Sequence, residues 1–214
     1  MIILHESYDL DPASPEQVDA FIALAEKTLV PAAARLGARL IGAFRCDADW
    51  FAQLQQLFEF DDLAAYDAFR KRAGDDAEWQ AFRSEAEKLA PAMRSQLLEP
   101  LGPVPAEKIH QAIAASEAKP VKIYSLAVLE VKPGRMDEFI ALLGAGAAAL
   151  PIAAAWRPVA GNPNQVIDLW ADTLAHRPYS PALESMKAFF RPLREVAPKE
   201  RLVSWAALPY SPLR

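Results

Sequence analysis

Asp19–Leu24 reads DAFIAL and Asp137–Leu142 reads DEFIAL, and this recurrence decides the architecture. Working outward, Phe44-Arg45 is answered by Trp156-Arg157, and Asp61-Asp62-Leu63-Ala64 by Asp172-Thr173-Leu174-Ala175. Ala81-Phe82 then matches Ala188-Phe189, and Ala90-Pro91 matches Ala197-Pro198, in the same order. Ordered self-similarity of this kind marks a repeated structural unit. Halves of roughly 100 residues have the usual size of a domain. The 214 residues therefore divide into a first domain at 1–103, a linker with a short helix at 104–119 and a second domain at 120–214.

Within the first half, Ile2–Leu10 alternates and stops at Asp11-Pro12, a strand ended by a turn. Ser14 as cap, Pro15 at the first helical position, and Val18, Phe21, Ile22, Leu24 and Ala25 at helical spacing predict a helix running to Gly37. Arg39–Cys46 and Phe51–Phe60 read as a hairpin. Asp61-Asp62 caps a second helix with Leu63, Tyr66 and Phe69, Glu78–Leu89 continues helical, and Met93–Leu98 is the last strand. This is the ferredoxin-like βαββαβ order.

The second half repeats the order with strands at Val121–Val131, Ile152–Val159, Gln165–Ala171 and Leu202–Leu208, and a helix from near Gly134. Its first helix is shorter, because Leu24 to Leu40 spans 16 residues and Leu142 to Ile152 only 10. Pro178 and Pro181 interrupt its second helix. The expected fold class is α+β: two tandem ferredoxin-like units forming α+β barrels with antiparallel sheets, the second unit eroded. A sheet with helices on one face needs cover on the other. Either the halves face each other, or each pairs with its equivalent in a second chain, which would make a homodimer.

Composition narrows the partners. A hydrophobic fraction of 52% with 24% charged residues predicts folded halves. A net charge of -5, a pI near 5.3 and the lack of a basic run argue against nucleic acid. The lone Cys46 and three scattered histidines offer no disulfide, no cysteine zinc site and no metal motif, and a reducing cytoplasm is the expected location. The first residues show strand-like alternation instead of a secretory signal. Phe139–Trp156 is 18 residues without a charge, the lower limit for a membrane span. It is mostly Ala and Gly and broken by Pro151, so a buried helix running into a buried strand is expected, and no membrane.

Glu78-Trp79-Gln80-Ala81-Phe82, Asp61-Asp62-Leu63-Ala64 and Arg39-Leu40-Ile41-Gly42 carry a family resemblance, joined in the second half by Lys132-Pro133-Gly134 and Asn164-Gln165-Val166 ahead of Leu169-Trp170. The sequence resembles the NIPSNAP family of the dimeric α+β barrel superfamily, as two tandem family domains. The resemblance implies the barrel fold and little about chemistry. Relatives elsewhere in the superfamily include cofactor-free oxygenases, small-molecule isomerases and haem-dependent enzymes, a likeness at fold level. The chain departs from the family pattern at Glu6, near which members tend to carry Arg, and at Asp168, near which they carry His.

Alternation on the first strand puts His5, Ser7 and Asp9 on one face and Leu4, Glu6, Tyr8 and Leu10 on the other. The matching second-half positions are Leu126, Ala127 and Leu129, so any polar site is asymmetric. In one reading Glu6 is an acid or base in a barrel pocket and Tyr8 a hydrogen-bond donor; in the other Glu6 is ion-paired with Arg45 on a neighbouring strand. His5 lacks a ligand spacing and reads as structural, while His110 and His176 read as solvated. Asp168 and Trp170 share a face, with Trp156 and Arg157 on the adjacent strand. These four either line a pocket for a planar ligand or form a Trp-packed core with one Asp–Arg pair. Gly144-Ala-Gly146 lies inside a helix and is no dinucleotide fingerprint.

The leading expectation is a barrel protein that holds a small, largely apolar molecule in its interior, with cofactor-free oxidation or isomerisation. No cofactor is expected. A non-catalytic assembly module is the alternative and a haem-binding enzyme the third reading. An interior cavity would favour the first and a Soret band the third.

Overall fold

Strand β1 (Ile2–Asp9) starts a chain that divides into two compact units in this computed structural model, which describes residues 1–11, 14, 16–47, 51–171 and 187–214. Unit 1 is Met1–Leu97 with Ala206–Arg214, and unit 2 is Leu98–Trp205. The expected Pro15 helix start, the Asp172–Ala175 repeat, His176, and the Pro178 and Pro181 interruptions lie outside the described residues.

In unit 1, β1 is followed by α1 (Gln17–Leu24), α2 (Val30–Arg35), β2 (Arg39–Cys46), β3 (Gln53–Phe60), α3 (Leu63–Asp75), α4 (Ala77–Leu89) and β4 (Ala92–Pro100, to Leu97 in this unit). β3 pairs antiparallel with β1 on one side and β2 on the other. The first helix is not capped by the Ser14 side chain; the Ser14 backbone carbonyl accepts from Gln17 N–H at 3.0 Å. Nor is it uniform, because Ala25–Leu29 is a π-helical turn in which Val30 N–H donates to the Ala25 carbonyl. Pro31 follows, and proline has no N–H for the carbonyl four residues back and crowds it; the wider turn accommodates that defect. Gly37, at φ +84°, ends the run.

Asp62 and Asp76 cap α3 and α4, each accepting a backbone N–H at 2.8 Å, from Ala65 and Trp79. Asp76 also takes two N–H bonds from Arg35, and these hold its carboxyl down at about 2. Asp76→Ala should therefore lower the melting temperature more than Asp62→Ala, which removes a cap alone; equal losses by calorimetry would deny Arg35 a part.

The helices cover one face of the sheet. Phe21 of α1 and Phe82 of α4 close on Tyr8 with ring centroids 4.8 and 6.5 Å away, and Trp79 meets Phe69 of α3 edge-on at 5.2 Å. Burying such rings is the largest apolar gain in a unit of this size. The covered face of β1 is that of Leu4, Glu6, Tyr8 and Leu10, and Ile3, His5, Ser7 and Asp9 point away from the helices. Residues 206–214 complete unit 1: the Ser211 hydroxyl accepts from Ala43 N–H at 2.9 Å, Gln56 donates to the Tyr210 hydroxyl at 2.6 Å, and Leu213 is fully buried.

Unit 2 repeats the plan with α5 (Lys108–Ala118), β5 (Ile123–Glu130), α6 (Met136–Gly144), β6 (Ile152–Pro158), β7 (Gln165–Trp170), α7 (Lys187–Val196) and β8 (Lys199–Ala207, to Trp205 in this unit). β7 pairs antiparallel with β5 and β6, and Leu98–Pro100 pairs with β6. α6 ends at Gly144, and Gly146 opens a separate 3-10 turn (Ala147–Ala149), so the two glycines bracket a helix end instead of lying inside a helix. No helix among the described residues is long and apolar enough to cross a membrane.

Candidate functional site

β1 carries unlike chemistry on its two faces. On the helix side, Glu6 is 5% exposed and sits opposite Gln56 of β3. The Tyr8 hydroxyl donates to Glu6 Oε2 at 2.7 Å, and Arg83 Nη1 approaches Oε1 at 3.4 Å and the Tyr8 oxygen at 3.3 Å. Burial pushes the Glu6 carboxyl up, while Tyr8 and Arg83 pull it partly back. Burial and the neighbouring carboxylate push the Tyr8 phenol well up, so Tyr8 remains a donor. Above this group opens a cleft of about 340 Å³ walled by Tyr66, Phe69, Trp79, Arg70 and Met93, with Glu6 and Arg83 in its lining. Arg83 reaches the floor because it follows Trp79 by one helical turn on α4, at the edge of the stripe that packs Trp79, Phe82 and Ala86.

The other face of β1 carries a directed hydrogen-bond chain. Gln96 Nε2 donates to His5 Nδ1 at 2.9 Å, His5 Nε2 to Gln55 Oε1 at 2.8 Å, Gln55 Nε2 to Gln53 Oε1 at 3.4 Å and Gln53 Nε2 to Asp9 Oδ1 at 2.7 Å. Arg94 closes it on Asp9 through an N–H bond of 2.9 Å and an ion-pair contact of 2.8 Å. Burial lowers His5 to about 4, with Arg94 adding to the fall, so the ring is neutral. Both ring nitrogens are engaged, which does not fit an axial haem ligand. No group of three His, Cys, Asp or Glu among the described residues is arranged to hold a metal ion.

The remaining candidates do not join either group. Arg45 pairs with Asp47 at 2.9 Å and not with Glu6; the hairpin turn offers it a nearer carboxylate. Trp156 lies opposite Ile167 and so faces away from Asp168, and Arg157 pairs with Glu99 at 2.6 Å. Asp168 and Trp170 do share the helix side of unit 2, where Asp168 is 3% exposed between Ala127 and Ala155. Asp168 Oδ1 and Trp170 Nε1 have no hydrogen-bond partner. Burial, reinforced by Glu200, raises the Asp168 carboxyl to about 8. No Asp168–Arg157 pair forms.

Arg83, Arg94, Gln55 and Gln96 were not legible as site residues. The signal available for the glutamines was Gln53-Leu54-Gln55, a polar alternation on β3 in phase with His5, Ser7 and Asp9.

Two ferredoxin-like units in tandem define a protein of the α+β barrel class. Whole-chain likeness bears on the same point: a putative monooxygenase from Lactobacillus acidophilus is 16% identical, with TM-score 0.61 over 96% of this chain and 93% of that one. A putative monooxygenase from Fusobacterium nucleatum is 9% identical, with TM-score 0.63 over 97% and 92%. An anthrone oxidase-like protein is 16% identical, with TM-score 0.55 over 97% and 91%. At such identities the likeness shows fold alone. Residues 6–104, most of the first unit, match the NIPSNAP family model. No curated protein matches the sequence.

Proposed function

We propose that unit 1 binds a small, largely apolar, planar molecule carrying one oxygen substituent in its helix-side cleft, with Glu6 moving a proton on that molecule. The observation that carries this is a buried carboxyl whose Oε1 has only a long contact to Arg83, opening into an aromatic cleft of about 340 Å³. Clefts of this size with few convergent polar groups and a perturbed acid are where small ligands bind. Trp79, Phe69 and Tyr66 offer ring faces and edges, and Arg83 stabilises an anion formed on the ligand oxygen.

The chemistry that fits is proton abstraction by the Glu6 carboxylate, with Tyr8 donating to the other carboxylate oxygen. Returning the proton to a different carbon completes an isomerisation without a co-reactant. Deprotonation is equally the opening step of a cofactor-free oxidation by dioxygen, and the monooxygenase and oxidase names of the structural neighbours support keeping both on one site by analogy.

2-Naphthol is a suitable probe, planar and apolar with a single hydroxyl. It should bind unit 1 and quench Trp79 fluorescence, and Glu6→Gln, which keeps shape but removes the base, should weaken it by about tenfold. Unchanged affinity in that variant would remove Glu6 from the site.

A further inference from the structure

We propose that unit 1 carries a second site on the sheet face turned away from its helices, a cavity of about 250 Å³ that binds a small carboxylate against Arg94, with Gln96 as a neutral donor.

Charge is arranged asymmetrically at this cavity. Arg94 has 62% of its side chain exposed while Asp9, its ion-pair partner, has 5%. Arg94 lines the cavity and Asp9 does not. The carboxylate also receives Gln53, so its charge is met within the sheet. A guanidinium has five N–H donors, and Asp9 takes one in a hydrogen bond and faces a second nitrogen in the ion pair, which leaves donors on the exposed side. The cavity therefore sees the cationic end of the pair.

The neutral groups add to this. Gln96 spends one amide hydrogen on His5 and keeps a second. Along the chain from Gln96 to Asp9 every donor points the same way, and such aligned bonds polarise one another. His5 is uncharged at neutral pH, because burial and the facing Arg94 hold it to about 4. A bound carboxylate then meets one cation and an amide donor, an arrangement that recognises a carboxylate by a charge-assisted hydrogen bond. No Phe, Tyr or Trp among the described residues lines the cavity, which favours a short polar ligand over one with a large apolar part. Alternation along β1 puts this site on the opposite face from Glu6, and it does not depend on the cleft proposed above.

Glycolate is the probe, followed through the ring resonances of His5 in protein carrying labelled histidine, with His5→Gln identifying the signal. Glycolate should shift the His5 signal saturably. The double variant Asp9→Asn with Arg94→Gln removes the pair without leaving a lone buried charge, and it should weaken binding at least tenfold. Gln96→Leu, which leaves the pair intact, should weaken it several-fold and serves if the double variant does not fold. 2-Naphthol should leave the glycolate titration unchanged. An unshifted His5 signal, full affinity in these variants, or competition between the two probes would overturn the proposal.

Discussion

Raising the pH from about 5 to about 9 should cost the protein stability, and Asp168→Asn should remove much of that loss. The Asp168 carboxyl titrates at about 8 in the folded protein against 3.8 ordinarily. Between those values the folded chain holds a proton that the unfolded chain has released. Stability then falls as pH rises, by about 1.4 kcal/mol per pH unit and several kcal/mol across the window. The penalty is physical: an ionised Asp168 lies between Ala127 and Ala155 with an oxygen that has no hydrogen-bond partner. Glu6 is shifted in the same direction, so some alkaline loss remains in the variant. Denaturant midpoints across this range decide the matter, and parallel curves for the two proteins would deny Asp168 the role.

Acid should act through His5. Its folded value of about 4 lies below the ordinary 6.5, so the unfolded chain takes up a proton first as the pH drops. The neutral ring contributes stability that is fully present above about pH 6.5 and lost on the way to pH 4, about 3 kcal/mol in all. Arg94 is the charged group facing it, and it opposes a second positive charge on the same sheet face. His5→Gln keeps an amide at the position and should flatten the profile between those pH values. A profile unaltered by the substitution would place the acid loss elsewhere.

The sequence made the architecture legible because duplication writes each element twice, and DAFIAL and DEFIAL fall on α1 and α6 of the two units. Alternation also separated Glu6 and Tyr8 from His5 and Ser7. It was silent on which set faces the helices, since both sets are largely buried. Nor could spacing find Arg83, which reaches Glu6 from 77 residues away; Arg45 was an equally charged candidate until Asp47 captured it. In unit 2 the register of β6 against β7 shifts between Ile152 and Ala154. The resulting register puts Trp156 on the other face from Asp168, which adjacency of strands alone does not reveal.

The assignment of residues 206–214 to unit 1 sets an order on biosynthesis. Ser211 and Leu213 complete a sheet whose other strands are made before any of unit 2. During translation unit 1 must wait, with the Ala43 edge of β2 unfinished, until all of unit 2 has followed. Exposed strand edges in waiting chains are where misassembly begins. The first domain to be synthesised is thus the last to be finished, and a lesion that stops translation within unit 2 leaves both units incomplete.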